Sequence, residues 1–283
     1  MTTPAAVPQP HHEALHQLTA QAVNETTASW EQLVAAQQVL VRALSTAQRR
    51  RLRTGAVPPP VRAALREFTA ATARFDSAAG VLAERWAAVD LPRCYRLGAE
   101  EAMRRAVLTP TQVRPIFTWH DSHQRVLATV TAAFYPVLVR RFTEVVRRAQ
   151  AFARAVTAAA RSSQPAAPAE LAAQHSLGTV TYANDAAHPA TSWARAAFTA
   201  QSVTAANAGA LTATTADLDA IWVQVTDGPE CGWTSHPELD RAHNTIRSAE
   251  EAAVYPIAHP GCLRMFIPRP DLNTATVEEG QPI

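Results

Sequence analysis

The longest uninterrupted helical pattern in this sequence lies between Asp121 and Arg161, and it limits the possible folds more than any other feature. Apolar residues recur there in steps of three and four, which places them along one face of a helix. The pattern predicts one long helix, bent at Pro136, that packs its apolar face within an elongated bundle. The apolar positions are Leu127, Val130, Phe134, Leu138, Phe142, Val145, Ala149, Phe152 and Val156.

The rest of the first half also has a helical composition. About 60 of the 283 residues are alanine and only 9 are glycine, which favours helices over a β-sandwich or barrel. Further helices are predicted from about His12 to Arg53, from about Val61 to Val89, where Pro92 ends the segment, and from Ala99 to Val107. Tryptophans at helical positions are expected in the core, namely Trp30, Trp86 and Trp193.

The chain changes character after residue 163. The segment SSQPAAPAE (Ser162–Glu170) is rich in small residues and contains proline, and residues 164–177 are interpreted as a linker. Beyond it, short strands are predicted at 178–184, 220–226 and 263–267, with an alanine-rich helix beginning near Thr191. We therefore expect a mainly α protein with four parts: a helical basic N-terminal region (1–163), the linker, a small α+β module (178–270) and a polar tail (271–283).

The charge is distributed unevenly along the chain. Every one of the 26 basic residues is arginine, and residues 1–163 hold 21 of them against 11 acids, a net charge of +10. Residues 164–283 hold 5 arginines against 13 acids, a net charge of −8. A basic half of this kind suggests a polyanionic partner. No apolar run is long enough to span a membrane, and the first cation is Arg42, so we expect a soluble protein that is used without export.

Arginines also recur along a second face of the long predicted helix. They occur every seven residues, and only one acid, Glu144, lies between Ser122 and Ser163. Two interpretations stay open: a solvated face of a bundle helix, or a surface that binds DNA or an acidic protein. The residues of this candidate partner-binding surface are Arg140, Arg141, Arg147, Arg148 and Arg154, with Arg161 continuing the repeat.

Two cysteine and histidine pairs occur close to the C-terminus. Cys231 and His236 form a C-x4-H pair, and His259 and Cys262 form an H-x2-C pair. Two thiolates and two imidazoles are a ligand set of structural zinc, so these residues are a candidate zinc site, with His243 as a substitute for His236. Free thiols and a disulfide between Cys231 and Cys262 are the alternatives, although a reducing cytoplasm argues against the disulfide.

The same loops contain groups that could in principle perform catalysis. Asp227, Cys231, His236 and His259 would suit a cysteine-histidine hydrolase or a metallohydrolase. The sequence contains no His-Glu-x-x-His, Gly-x-Ser-x-Gly or glycine-rich phosphate loop, so we expect no enzyme.

The other histidines and the third cysteine are expected to have structural roles. Cys94 lacks a partner at metal-ligand spacing and is interpreted as a core thiol. His120 and His123 are expected to cap the long helix, and an exposed N-terminal arm is expected to carry His11, His12 and His16.

Residues 178–270, about a third of the chain, resemble the phage Mu F-like minor head protein family, especially its actinobacteriophage versions. The matching residues are Trp222, Asp227, Gly228, Pro229, Cys231, Gly232, Trp233, Ser235, His236, His259, Pro260, Cys262 and Arg264. Many relatives have Cys-x-x-Cys where this chain has Cys231 to Thr234, His-Pro-Asn-Cys where Gly261 stands, and Cys-Arg where Cys262-Leu263-Arg264 stands. These departures weigh against a four-cysteine metal site.

The resemblance implies a minor capsid protein of a tailed phage, bound near the portal and the capsid interior. Such a protein would act in head morphogenesis and in DNA packaging or delivery. Its implied partners are portal and capsid proteins, with non-specific double-stranded DNA, and its implied location is the virion, after assembly in the host cytoplasm. The alternatives are a prophage-encoded zinc-dependent hydrolase or modifying enzyme and a non-specific nucleic-acid-binding protein.

Overall fold

The computed structural model describes residues 10–50, 55–182, 186–227, 242–259 and 261–273. The protein is mainly α-helical, with long helices and a small sheet region near the C-terminus, which confirms the expected fold class. The helices are α1 (Pro10–Arg49), α2 (Pro59–Arg85), α3 (Leu91–Arg105), α4 (Asp121–Arg161), α5 (Pro168–Gln174), α6 (Ala190–Thr212) and α7 (Ala249–Val254). The strands are β1 (Thr179–Thr181), β2 (Ala187–Pro189), β3 (Trp222–Thr226), β4 (Ile246–Ser248) and β5 (Met265–Pro268).

Helix α4 has the limits that its apolar periodicity predicts, and it continues through Pro136. From Leu138 to Val156 every residue of the apolar face is buried, whereas Leu127, Val130 and Phe134 are only half-buried. Burial of this face stabilises the helix, since intrinsic helix propensity alone contributes little to helical stability in proteins.

The prediction that Pro92 ends a helical segment is wrong. A π-helical turn at Trp86–Asp90 follows α2 directly, and α3 begins at Leu91 with Pro92 at its start. Proline is tolerated there because the first N–H groups of a helix have no partner within it.

The chain divides into two compact units that are each assembled from separated segments. Unit 1 comprises residues 1–21, 85–134 and 195–283, and unit 2 comprises 22–84 and 135–194. The division predicted from the sequence was contiguous, with one linker between two regions. The two units of the structure instead combine distant segments of the chain, because burial of helix faces brings these segments together. The segment 164–177, interpreted as a linker, contains α5 and buries Leu171.

The core of unit 2 is built on edge-to-face and tilted aromatic contacts. The ring of Trp30 contacts Phe75, Phe142 and Trp193, with centroid separations of 5.4, 6.4 and 5.8 Å. Its indole N–H donates to the carbonyl of Leu177, so the one polar group of this ring is satisfied. The antiparallel pair of β1 and β2 also belongs to this unit.

Unit 1 contains an antiparallel three-stranded sheet in the order β4-β3-β5. Thr226 at the end of β3 is opposite Met265 at the start of β5, so the residues just outside the strands, Asp227 and Arg264, are also neighbours. One face of the sheet is buried through Val223, Val225 and Phe266.

Helices α3 and α6 approach each other closely within unit 1, because glycines stand at the point of contact. A Cβ atom at Gly98 would lie 1.8 Å from the carbonyl oxygen of Ala206, and one at Gly209 would lie 2.1 Å from that of Tyr95. Only glycine allows the two backbones this separation. The contact positions Tyr95 beside the C-terminal half of α6.

Among the described residues, no helix combines the length and the apolar character needed to cross a membrane.

Candidate functional site

The most distinctive polar cluster of the described residues consists of His120, His123 and Asp217, all in unit 1. His120 immediately precedes α4 and His123 lies in its first turn. Asp217 is the last residue of a π-helical turn, Ala213–Asp217, that follows α6. Such turns within helices occur frequently at functional sites, because they displace one residue from the regular helical pattern.

Each histidine uses its Nε2 atom to contact a different oxygen of the same carboxylate. The Nε2 atom of His120 is 3.1 Å from Oδ1 of Asp217, and that of His123 is 3.0 Å from Oδ2. The side chain of His123 is 0% exposed, that of Asp217 12% and that of His120 35%. Solvent therefore reaches the cluster from the side of His120.

Tyr95 on α3 completes the arrangement. Its hydroxyl lies 2.9 Å from Nδ1 of His123, so this buried ring has a partner at both nitrogens. Burial raises the pKa of Tyr95 to about 12, so the hydroxyl keeps its proton and can donate to Nδ1 or accept from it. Burial also lowers the pKa of His123 against the opposing effect of Asp217, which favours the neutral imidazole.

Aromatic rings surround the buried histidine. The ring of Phe117 is 5.0 Å and that of Trp119 6.0 Å from the His123 ring, and Trp119 stacks on Tyr95 at 5.8 Å. The guanidinium group of Arg96 lies 5.7 Å from the Phe117 centroid. These contacts restrict the His123 ring to the orientation that presents Nε2 to Asp217.

The donor set suits a divalent transition metal ion. One ligand atom from each of His120, His123 and Asp217 lies within 4.8 Å of the others, so the group could hold a metal ion. Two imidazoles and one carboxylate are a set that Zn²⁺ accepts, whereas Mg²⁺ and Ca²⁺ prefer oxygen ligands.

The expectation that His120 and His123 serve only as helix caps is wrong, because both rings contact Asp217. Their i, i+3 spacing at the start of a predicted helix could have indicated a shared site, since it places two imidazoles on the same turn. The carboxylate could not be identified from the sequence, because it is 97 residues from His120 and its position depends on tertiary packing.

The predicted arginine surface separates into two groups in unit 2. Arg140, Arg147 and Arg154 are exposed, as is Arg161. Their seven-residue spacing rotates each step by only about 20° around the helix, so they form one outward row. We call Arg140, Arg147 and Arg154 the arginine row.

The other two arginines of that surface are engaged within unit 2. Arg141 donates to Glu144 and to the carbonyl of Thr181, at 2.7 and 3.1 Å. Arg148 donates to Glu144 at 2.5 Å and to the carbonyls of Ser176 and Thr179 at 2.9 and 3.1 Å. Arg141 and Arg148 are half-buried because they lie nearer the apolar face of α4, and they attach the β1 segment to that helix.

Half of the predicted zinc set lies outside the described residues, namely Cys231 and His236. Of the other half, Cys262 is buried and His259 is exposed, in a turn closed by a bond from the Cys262 N–H to the His259 carbonyl. His243, named as a substitute ligand, accepts a hydrogen bond at Nδ1 from the backbone of Asp227 at 3.1 Å.

Two residues of the family-like motif form a buried ion pair. Arg264 donates through Nε and Nη2 to one oxygen of Asp227, at 3.0 and 2.8 Å. Its third nitrogen donates to the carbonyl of Tyr255, and Asn207 donates to the carbonyl of Arg264. Both charges are therefore desolvated and paired, and removing either partner would leave the other charge buried and alone.

The residues expected in a loose N-terminal arm instead begin helix α1. His11 is 7% exposed, which corrects the prediction for this residue, whereas His16 is exposed as predicted. His12 is half-buried, and both His11 and His12 line a cavity of about 60 Å³ in unit 1. Burial lowers the pKa of His11 to about 4, against the opposing effect of Glu101.

The remaining structural expectations are confirmed. Cys94 is 0% exposed and its burial raises its pKa to about 12, as expected for a core thiol. The predicted core tryptophans Trp30, Trp86 and Trp193 are all buried.

Comparison of the chain with protein-family models, with curated proteins and with solved structures finds no match.

Proposed function

We propose that this chain is a minor capsid protein of a tailed phage, associated with the portal and the capsid interior. In this role it acts in head morphogenesis and in DNA packaging or delivery, and the arginine row binds phosphate groups of double-stranded DNA without sequence preference. The proposal combines the resemblance of residues 178–270 to the Mu F-like family with the surface chemistry of α4.

The arginine row is the observation that carries the DNA-binding part. Arg140 and Arg154 are 14 residues apart, which spans about 21 Å along a helix. The nearest acid on the helix, Glu144, already pairs with Arg141 and Arg148, so this acid does not neutralise the row. Exposed guanidinium groups in a line suit a regular polyanion, because each can pair with a phosphate.

The C-terminal motif supports the structural part of the proposal. A zinc ion held by Cys231, His236, His259 and Cys262 would join two loops next to the three-stranded sheet. In this proposal the four ligands have a structural role and no step of catalysis is assigned to them.

Salt-dependent binding of the purified chain to double-stranded DNA tests the proposal. Affinity should fall with salt, and the Arg140→Gln, Arg147→Gln, Arg154→Gln triple variant should have a shallower slope in a plot of log affinity against log salt. Loss of three phosphate contacts reduces that slope by about 2.7.

A second triple variant of equal charge change serves as the control. Arg42, Arg66 and Arg74 are exposed arginines of the same unit that lie outside the row. Their replacement by glutamine should leave the slope close to that of the parent. Equal slopes for both triple variants would show that DNA binding reflects net charge alone, and an absence of DNA binding by the parent would contradict this part of the proposal.

A further inference from the structure

We propose that His120, His123 and Asp217 form a binding site for a single divalent transition metal ion of the Zn²⁺ type. This inference is independent of the phage function and of the Cys231, His236, His259 and Cys262 set. The ligand atoms would be Nε2 of both histidines and one carboxylate oxygen of Asp217.

The ligand atoms are already close to their required separation. Zinc binds histidine nitrogen and carboxylate oxygen at about 2.0–2.2 Å, which sets tetrahedral ligand atoms about 3.4 Å apart. The Nε2 atoms of His120 and His123 are 3.1 and 3.0 Å from the oxygens of Asp217. The two contacts go to different oxygens of Asp217, and one ligand atom from each of the three residues lies within 4.8 Å of the others, so side-chain rotations would bring one oxygen and both Nε2 atoms to the required separation.

The outer contacts of His123 are those of a metal ligand. A histidine bound through Nε2 carries its hydrogen on Nδ1 and needs an acceptor there. The hydroxyl of Tyr95 lies 2.9 Å from Nδ1 and can accept that hydrogen. The same hydroxyl donates to Nδ1 when no metal is bound, so the buried ring is satisfied in both states.

The site would bind metal with one position open. Three protein ligands leave one tetrahedral position for a further ligand, and the 35% exposure of His120 gives access to it. In the fold, the ion would join the start of α4 to the turn that follows α6. We therefore expect it to raise the melting temperature of the chain.

Cobalt binding to the full chain tests the inference, with Co²⁺ as a spectroscopic substitute for Zn²⁺. A Cys231→Ser, His259→Ala background removes two ligands of the predicted Cys/His set, and Cys262 is retained because it is buried. This background should still bind one equivalent of Co²⁺, with visible ligand-field absorption but no thiolate-to-cobalt charge-transfer band. Excess Mg²⁺ should not displace the ion.

Substitutions in the three-residue site should then remove that equivalent. Asp217→Asn keeps the shape of the side chain, and His120→Gln changes a partly exposed residue, so we expect each variant to fold, which circular dichroism verifies. Tyr95→Phe should keep the site but weaken Co²⁺ binding about tenfold or more. If the background binds no Co²⁺, or if Co²⁺ binding is unchanged by His120→Gln, the three residues form a hydrogen-bonded network and the inference is wrong.

Discussion

Asp227 and Arg264 lie 37 residues apart and still form the most completely buried ion pair described in unit 1. Both were visible in the sequence as motif residues, but their pairing was not predicted. The register of β3 and β5 explains it, since it places the residues that flank Thr226 and Met265 opposite each other. Removing one partner of such a pair costs about 3–5 kcal/mol, because the other charge is left buried and unpaired.

A second effect at the residue scale concerns the stability of the protein in acid. The pKa of His11 is lowered from 6.5 to about 4 by burial, so the unfolded chain takes up a proton at this residue before the folded chain does. The contribution of His11 to stability is therefore complete above pH 6.5 and is lost as the pH falls towards 4. At pH 5 this loss amounts to about 2 kcal/mol relative to pH 7.

Urea unfolding at pH 7 and pH 5 measures this contribution. The decrease in unfolding free energy between the two pH values should be about 2 kcal/mol smaller in the His11→Leu variant than in the parent. His16→Gln, in the same helix at an exposed position, should behave as the parent does. A parent and His11→Leu variant with equal pH dependence would contradict the assignment.

At the scale of elements, the contact between α3 and α6 depends on two glycines. Adding a methyl group at Gly98 or Gly209 would place it within 1.8 or 2.1 Å of a backbone carbonyl oxygen, so the helices would have to separate. We expect Gly98→Ala and Gly209→Ala each to lower the unfolding free energy by about 3 kcal/mol.

The matched control is Gly80→Ala. Gly80 lies inside α2 with nothing within 4 Å of its added Cβ, so alanine should raise the unfolding free energy by about 0.5–1 kcal/mol. Urea midpoints of the three variants provide the measurement. An increase in stability at all three glycines would show that helix propensity, not the close approach, determines the effect.

At the scale of the whole molecule, local sequence patterns predicted secondary-structure elements. They did not predict sites whose residues are distant in the chain. Helix α4, of 41 residues, could be predicted because its apolar period is uninterrupted from Leu127 to Val156. The cluster of His120, His123 and Asp217 could not, because it depends on the close approach of α3 to α6 and on the π-helical turn after α6. The same limit applies to Arg141 and Arg148, whose partners include backbone carbonyls that no side-chain pattern indicates.

Incorporation into phage heads is the corresponding prediction for the whole molecule. The arginine-row and control triple variants each change the net charge of the chain from +2 to −1, so bulk charge cannot distinguish them. Three lost arginine–anion contacts of about 0.5–1 kcal/mol each correspond to a reduction of about tenfold or more in affinity for the anionic partner. We therefore expect depletion of the arginine-row variant, but not of the control, when purified particles are quantified by mass spectrometry.

The stage at which the arginine-row variant is lost identifies the partner. If the row binds DNA, the variant should enter empty procapsids normally and be depleted only from DNA-filled heads, because the phosphates arrive with packaging. If the row binds an acidic face of the portal or capsid, depletion should already be present in empty procapsids. Occupancy equal to that of the parent at both stages would mean that Arg140, Arg147 and Arg154 only solvate the surface of α4.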